Sequence, residues 1–463
     1  MNIKNKHSQP FIIVFATIIL LFILSFFNTH IKWNSYQTKK VNLLSDIKST
    51  KVLKHIPLPN FLVSDSSLIG NATTNLTLKK STLKNTESIK SSNTNLVNFF
   101  NALNNIKSKK YKVRIAYFGD SMIEGDLISE DLRSNMQDSF GGYGVGLVPI
   151  TSIVAGFRKT ITHSFDGWKT YSLSNAPPLH HLLGVSGYTF VPNVITDFFE
   201  PSTNDSWVKY TSVSKKYLNQ FYDVSLLFGK SVGENYVLIN GSTYKLTGNK
   251  PVNELRIKST KPYKSISATF RCTEPLDIYG FNIESDSGVF VDNFSFRGNS
   301  GLALSKVSQA IYAGTNNYLD YDLIILEYGL NVVSSEISDY HWYITGMKNV
   351  IKQLQSSFPD ASVLLISVGD KSYRNNDLYE TNPNVPILVA AQKKLAKEYD
   401  IGFWSLYDAM GGEGSMTKWV ESDTSLANKD YTHFNNRGAH KVGNLLFDML
   451  MKEYKNYNKN TSQ

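Results

Sequence analysis

The chain of 463 residues has only one cysteine, little net charge over its larger part and no internal repeat. The single Cys272 cannot form an intramolecular disulfide, and it excludes a cysteine-based zinc site. The fold must therefore be held by packing. A hydrophobic fraction of 41% supplies enough apolar side chains for a core and excludes global disorder. The length indicates one large domain with appendages, or two domains.

Acidic residues are scarce in the first 110 residues, which hold 15 lysines and only 3 acidic side chains. The rest of the chain holds 33 basic and 36 acidic residues, so the N-terminal stretch carries the overall charge of +9. A nucleic-acid-binding protein would instead place its positive charge on a folded face. We therefore expect no nucleic acid among the partners of this protein.

An uncharged apolar run covers residues 11–27 and follows Lys4 and Lys6. The run is long for a cleaved signal peptide, and no small-residue cleavage site follows it. We predict a membrane-spanning signal anchor over residues 1–30 and a flexible basic linker over residues 31–94, with a cleaved signal peptide as the alternative. Either interpretation exports the rest of the chain. The expected location is the cell envelope, with the folded part outside the cytoplasm, in the periplasm or the extracellular space.

The folded part begins near residue 95 with the pattern of an α/β domain. Short continuous apolar segments predict buried strands, and amphipathic segments between them predict helices. The predicted strands are Val113–Phe118, Leu323–Leu326, Val363–Val368 and Phe403–Leu406. Continuous apolar strands that alternate with helices indicate a parallel sheet covered on both faces.

A block with a different rhythm interrupts this pattern. Six short strand candidates follow one another there, with turn residues and no helical stretch between them: Val224–Phe228, Tyr236–Ile239, Thr243–Leu246, Leu255–Ser259, Ser265–Phe270 and Leu276–Ile283. Such spacing is typical of a β-sandwich. We predict a sandwich at residues 150–294, inserted into an α/β domain that comprises residues 95–149 and 295–457.

Polar motifs stand where ligands bind in open α/β sheets, at the carboxyl ends of the strands. Ser121 follows the first predicted strand, Gly329 and Asn331 follow the second, and Asp430 and His433 precede the last helix. Each motif alone is weak, because a turn or a helix cap would explain it equally well. Their order and their shared placement at strand ends predict that they meet in one site.

These motifs resemble the SGNH (GDSL-type) hydrolases, which are flavodoxin-like, three-layer α/β esterases. Gly-Asp-Ser at 119–121 matches the nucleophile block, Gly-Leu-Asn at 329–331 the third block, and Asp430-x-x-His433 the last block. Within residues 296–301, Gly301 is the better candidate for the glycine of the second block, and Gly298 is the alternative. The resemblance covers about residues 95–455. It implies a nucleophile at Ser121 and oxyanion donors from Ser121, Gly301 and Asn331.

The stretch from Gly119 to Pro149 is also similar to peptidoglycan O-acetylesterases, in which a carbohydrate-binding β-sandwich is inserted after the first block. The insertion predicted here falls at the same place. The resemblance implies an O-acetylated polysaccharide or peptidoglycan as substrate. We name Asp120, Gly298 and Trp168 as candidate substrate contacts.

The residue types support acyl transfer without a metal or cofactor. His433 can act as the base that activates a serine hydroxyl, because an imidazole titrates near neutrality, and Asp430 can hold its tautomer. The leading hypothesis is an esterase that removes O-acetyl groups from a polysaccharide. The alternatives are an O-acetyltransferase with the same triad, and a catalytically inert glycan-binding protein of the cell envelope.

Other polar and aromatic groups carry less weight. Asp339 and His341 follow the third block, out of the order expected for the last block. His180 and His181 are adjacent, and neighbouring residues seldom bind one metal ion. A sugar platform formed by aromatic side chains is the last candidate site, with packing between domains as an equal alternative: Trp168, Tyr171, Tyr188 and Trp207.

Overall fold

The structure is a computed structural model that describes residues 94–109, 111–175, 177–195 and 205–461, together with the backbone of residues 32–33 and 36–37. The chain divides into two compact units, residues 1–87 and 88–463. No helix among the described residues is long and apolar enough to cross a membrane. The predicted signal anchor and nearly all of the predicted linker lie outside the described residues.

The second unit contains α-helices and β-strands in mixed order. The described helices are α1 Val97–Lys109, α2 Ser129–Phe140, α3 Gln309–Leu319, α4 His341–Ser357, α5 Asn384–Glu398, α6 Leu406–Met410, α7 Ser415–Glu421 and α8 Asn436–Thr461. The described strands are β1 Lys32–Trp33 and β2 Tyr36–Gln37 of the first unit, and then β3 Lys112–Gly119, β4 Gly146–Val148, β5 Thr162–Asp166, β6 Trp168–Ser172, β7 Tyr188–Pro192, β8 Ser206–Thr211, β9 Phe221–Phe228, β10 Asn235–Ile239, β11 Ser242–Lys245, β12 Asn253–Tyr263, β13 Ser265–Cys272, β14 Ile278–Glu284, β15 Gly288–Ser295, β16 Leu323–Glu327, β17 Ser362–Ile366, β18 Ser372–Asn375, β19 Leu378–Thr381 and β20 Gly402–Trp404.

A five-stranded parallel sheet forms the centre of what we call the parallel-sheet region, residues 94–140 and 288–461. Its strand order is β15-β3-β16-β17-β20. Successive side chains of a strand face opposite sides of the sheet. Ala116 and Phe118 accordingly pack with helices α3, α4 and α5, whereas Ile115 and Tyr117 pack with α1, α2 and α8. Helices cover both faces, so the predicted α/β fold with a parallel sheet is confirmed.

Residues 146–284, which we call the antiparallel region, form two further sheets. One has the order β11-β10-β13-β8-β5, and the other has the order β12-β9-β14-β7-β6, with β4 also paired to β14. Alternate side chains of both sheets meet in one hydrophobic cluster, to which Val208 and Phe270 belong on one side and Leu226 and Phe281 on the other. Cys272 is buried in the same cluster.

The boundaries between the two regions differ from the predicted positions at 149/150 and 294/295. All of strand β15 except its last residue lies within the predicted insertion, but the strand pairs along its whole length with β3 of the parallel sheet. Strand β4 lies before the predicted insertion but pairs with β14. A search for apolar runs does not find β15, because the strand contains the polar residues Asp292 and Asn293. Asp292 can nevertheless be fully buried, since it accepts hydrogen bonds from the Leu147 N–H and the Tyr321 hydroxyl.

A buried ionic network joins the two regions behind the nucleophile strand β3. Arg114 of β3 is buried and binds Glu284 of β14 and the Asn282 side chain, while Lys112 bonds Glu284 and Asp223. Burial opposes the charge of Glu284, but Arg114 and Lys112 outweigh it and lower the pKa of Glu284 to about 2. Every charge in this network has a partner, which is the condition for a stable buried ion pair.

Candidate active site

The predicted nucleophile stands immediately after the central strand. Strand β3 ends at Gly119, and residues 121–126 form a short 3-10 helix whose N-cap is Asp120. The Asp120 carboxylate accepts a hydrogen bond from the Met122 N–H at 3.0 Å. This cap begins the helix at Ser121, so the Ser121 side chain stands at the carboxyl edge of the sheet, where substrates of α/β proteins bind.

The structure brings Ser121 and the predicted Asp-x-x-His motif together across 312 residues of chain. Ser121 Oγ lies 2.9 Å from His433 Nε2, and His433 Nδ1 lies 2.8 Å from Asp430 Oδ2. With the Nδ1–H donating to Asp430, Nε2 is the acceptor for the Ser121 hydroxyl. The geometry is therefore compatible with proton transfer from the hydroxyl to the ring.

Backbone contacts hold the loop that carries this motif. The N–H groups of Thr432 and His433 both donate to Asp430 Oδ1 at 3.0 Å. Burial alone would raise the pKa of Asp430, but the hydrogen bonds from His433 and Thr432 outweigh it and lower the pKa. The ring of Tyr431 stacks on Tyr379 of β19 at 3.5 Å and 4°, which fixes the loop against the β18–β19 hairpin.

The two candidate glycines of the second block, Gly301 and Gly298, differ in their contacts. The Gly301 N–H donates to Asn299 Oδ1 at 2.9 Å, and a Cβ at Gly301 would lie 2.8 Å from the Tyr328 ring. Gly301 is a packing glycine with its N–H already used. Gly298 lines the cleft with Ser121 and Asn331, and its N–H makes no hydrogen bond to any described residue. In the sequence, both Gly298 and Gly301 fit the glycine of the second block. Only their contacts in the structure distinguish them.

Asn331 reaches the site on the turn after β16. Its Nδ2 lies 3.1 Å from Asp120 Oδ2 and 3.1 Å from the carbonyl oxygen of Asn299. Both N–H groups of the amide thus have acceptors. An oxyanion beside Ser121 would have to share one of these N–H groups with its present acceptor.

Asp120 lies behind the site. It is 1% exposed, does not line the cleft, and touches Met122 and Asn331, so it positions Asn331 and the predicted substrate contact is wrong for this residue. Burial raises the pKa of Asp120 to about 6, against the opposing effects of the Met122 N–H, His433, Asn331 and Lys371. Lys371 is half-buried and donates to the carbonyl oxygens of Leu330 and Val333, on the same turn as Asn331.

A cleft of about 790 Å³ opens beside Ser121 and His433. The antiparallel region contributes the loop of residues 151–158, from which Ile153 and Phe157 expose apolar side chains along the cleft. Arg297 also lines the cleft, and its guanidinium pairs with Glu124. The sequence did not single out Lys371, Glu124 or Arg297. Lys371 follows strand β17, so the strand-end rule could have found it, and Arg297 lies within the block already compared with the family glycine motif.

Other predicted contacts lie away from the cleft. Trp168 is partly buried and packs on the antiparallel core against Phe270, its indole N–H donates to the Trp207 carbonyl at 2.9 Å, and it does not line the cleft, so the structure gives no support to its prediction as a substrate contact. An indole that satisfies its own N–H within a core has no polar group left for a ligand. Of the proposed aromatic platform, only Tyr188 lines a pocket beside the active site.

The discounted histidines have local partners. His181 Nδ1 lies 2.6 Å from Asp277 Oδ1, and His180 packs on the His181 ring. The His341 N–H donates to Asp339 at the start of α4. Neither pair lines the cleft. Within the described part of the chain, no group of three or more His, Cys, Asp or Glu side chains could hold a metal ion.

Comparison with known proteins agrees with this arrangement. Residues 267–441 match the GDSL-like Lipase/Acylhydrolase family, a range that contains Asn331, Asp430 and His433 but not Ser121. A solved structure of a peptidoglycan O-acetylesterase is 20% identical, with a TM-score of 0.64 over 78% of this chain and 96% of that chain. A search of curated proteins gives no match.

Two further solved structures superpose less well. One is a family two carbohydrate esterase from Clostridium thermocellum, at 11% identity and a TM-score of 0.26 over 54% of this chain and 91% of that chain. The other is an acetyl xylan esterase, at 16% identity and a TM-score of 0.26 over 35% of this chain and 80% of that chain. The family match over residues 267–441 and the likeness in fold, together with the motifs at Ser121, Asn331 and His433, support an SGNH (GDSL-type) hydrolase with carboxylic ester hydrolase activity.

Proposed function

We propose that this protein removes O-acetyl groups from a polysaccharide of the cell envelope. Ser121 attacks the ester carbonyl, His433 accepts the hydroxyl proton, and Asp430 holds the imidazole and stabilises its charged form. The leaving sugar hydroxyl takes the proton from His433. Water then attacks the acetyl-serine with His433 again as base, which releases acetate and restores the serine.

The observation that carries the proposal is the pair of hydrogen bonds from Ser121 Oγ to His433 Nε2 at 2.9 Å and from His433 Nδ1 to Asp430 at 2.8 Å. The tetrahedral intermediate needs preorganised donors, and removal of one such donor costs about 10²–10³ in rate. We assign these donors to the N–H groups of Ser121 and Gly298 and to the Asn331 side chain.

The polysaccharide substrate is proposed from the cleft and from the fold. The cleft is open to solvent, and its volume of about 790 Å³ leaves room for a ligand much larger than a small acetate ester. The superposed structure at a TM-score of 0.64 is a peptidoglycan O-acetylesterase, which makes O-acetylated peptidoglycan the first substrate to test. We further propose that the antiparallel region is a carbohydrate-binding β-sandwich.

The envelope location is proposed from the sequence alone. Residues 11–27 are apolar and uncharged, and Lys4 and Lys6 precede them, as expected for a signal anchor that leaves the enzyme outside the cytoplasm. Fractionation of cells that express the full chain tests this part. Recovery in the membrane fraction, with the folded region accessible to an external protease, is the expected result.

The test of the function is acetate release from a panel of acetylated glycans that includes peptidoglycan, acetylxylan and acetylated chito-oligosaccharides. Wild-type protein should release acetate from at least one member, and Ser121→Ala should release none above background while its thermal unfolding midpoint stays the same. Addition of a sugar acceptor separates hydrolysis from acetyl transfer. A wild-type protein that hydrolyses 4-nitrophenyl acetate but no acetylated glycan would refute the proposed substrate class.

A further inference from the structure

A second pocket lies directly beside the catalytic cleft. This side pocket, of about 180 Å³, is lined by both regions: Glu124 and Asp126 belong to the parallel-sheet region, and Thr151, Arg158, Thr170 and Tyr188 belong to the antiparallel region. Glu124, Ile153 and Val154 line both the side pocket and the cleft. A ligand that extends past these three residues can therefore occupy both.

The walls of the side pocket combine an aromatic face with hydroxyl groups. The Tyr188 ring stacks on Phe296 at 4.9 Å and 26°, which holds it rigidly as one wall. Thr151 and Thr170 add hydroxyls to the lining, and these two hydroxyl oxygens lie 2.9 Å apart in a hydrogen bond. Ser186 also lines the pocket, but its hydroxyl oxygen is buried. An aromatic face with surrounding hydroxyls suits a pyranose ring, which has apolar C–H faces and a polar rim.

The charged side chains around the side pocket are held in ion pairs. Asp126 is fully buried and pairs with Arg133 and Arg158, which hold its pKa well below the usual range despite its burial. Glu124 pairs with Arg297. Asp126 pairs with two arginines, so the group keeps one net positive charge, and Arg158 lines the side pocket. The pocket therefore suits a sugar ring, either neutral or with a carboxylate, and not a cation. The Arg158–Asp126 pair also fastens the loop of residues 151–158 to the helix that begins at Ser121.

We propose that the side pocket is a second sugar subsite, which holds the ring adjacent to the acetylated ring at Ser121. The inference rests on the proposed polysaccharide substrate and extends it, because it requires at least two sugar rings for full activity. The volume of about 180 Å³ lies below the ~300–1,000 Å³ of sites for drug-sized ligands, so the pocket holds a single ring.

The test compares kcat/KM for one O-acetylated sugar and for its trisaccharide, taken from the glycan that the wild-type protein deacetylates in the panel above. The wild-type protein should prefer the trisaccharide by about tenfold or more. Tyr188→Leu should abolish that preference and leave hydrolysis of 4-nitrophenyl acetate within about twofold. Tyr188→Phe keeps the ring and should keep the preference.

Two further variants separate recognition from folding. Tyr244→Leu replaces a partly buried tyrosine on the far edge strand β11 and should leave both substrates unaffected. Thr170 is partly exposed and lines the side pocket, so Thr170→Met should narrow the pocket without disturbing the core. If Tyr188→Leu does not fold, Thr170→Met takes its place in the test. Equal wild-type rates for the single sugar and the trisaccharide, or an unchanged preference in the folded pocket variant, overturn the subsite. A wild-type protein that deacetylates no glycan overturns the proposed function instead.

Discussion

The two regions of this molecule place their functional side chains in different ways. Strands β16 and β17 of the parallel-sheet region are buried at every position, so chemistry there is confined to the loops that follow the strands. In the antiparallel region, strands such as β10 alternate between buried and more exposed positions. Tyr188 and Thr170 accordingly line the side pocket from within strands β7 and β6.

This difference suggests a division of labour. We propose that groups at strand ends act on the ester bond and matter for every ester, and that groups on the antiparallel strands contact the glycan and matter only for extended substrates. Two results would contradict this division. One is a variant at a strand end that lowers the hydrolysis of glycans only, and the other is a variant on an antiparallel strand that lowers the hydrolysis of 4-nitrophenyl acetate.

The largest effect is expected from His433→Ala. Loss of the base should lower kcat/KM for 4-nitrophenyl acetate by about 10³-fold or more, because the serine hydroxyl keeps its proton. His440→Ala is the matched control, since His440 also pairs with an aspartate, Asp131, but does not line the cleft. Equal losses in the two variants would contradict the assignment of His433 as the base.

Asn331→Ala should have the next largest effect, a loss of about 10²–10³ in kcat on both small esters and glycans. The amide acts on the intermediate and not on a glycan contact, so KM should change little. Steady-state kinetics with 4-nitrophenyl acetate and with an acetylated trisaccharide measure this. A loss of activity on the glycan alone would indicate that Asn331 contacts the glycan and not the tetrahedral intermediate.

Asp120→Asn should lower kcat/KM about tenfold, since Asn331 then binds a neutral acceptor in place of a carboxylate. The folded-state pKa of about 6 lies above the usual value for an aspartate. Between about pH 4 and pH 6 the folded protein therefore keeps a proton that the unfolded chain releases, and stability falls as the pH rises through this window.

The Asp120→Asn variant should show a smaller fall, because the carboxyls of Asp322 and Glu327 also have raised pKa values, of about 7 and about 8, and keep their own contributions. Unfolding midpoints measured from pH 4 to pH 7 can detect the difference between the variant and the wild-type protein. Activity should show the opposite trend in the wild-type protein, because only the ionised Asp120 accepts fully from Asn331. A variant whose pH dependence of stability equals that of the wild-type protein would show that Asp120 does not titrate in this range.

The smallest effect is expected from Trp168→Phe. This variant loses the hydrogen bond to the Trp207 carbonyl and should reduce the free energy of unfolding by about 1 kcal/mol. Activity on both small esters and glycans should stay within about twofold of the wild-type value. A selective loss of glycan hydrolysis in the folded variant would restore Trp168 as a substrate contact.

The sequence was most informative where a physical rule connects pattern to position. Continuous apolar strands predicted the parallel sheet, and the strand-end rule predicted that Ser121 and His433 would meet. It was least informative where contacts decide. The spacing of the glycines in the sequence cannot decide whether Gly301 or Gly298 is the oxyanion glycine. The hydrogen bond from the Gly301 N–H to Asn299, which distinguishes them, is visible only in the structure. The polar strand β15 escaped notice because its buried Asp292 is satisfied by distant residues.

The account depends most on Ser121 as the nucleophile that His433 activates. A fluorophosphonate probe followed by peptide mass mapping tests this directly, because only a serine with an adjacent base reacts rapidly. We predict a single modified peptide that contains Ser121, with labelling abolished in Ser121→Ala and strongly slowed in His433→Ala. Labelling at another serine, or no labelling of a folded protein that still hydrolyses esters, would contradict the account.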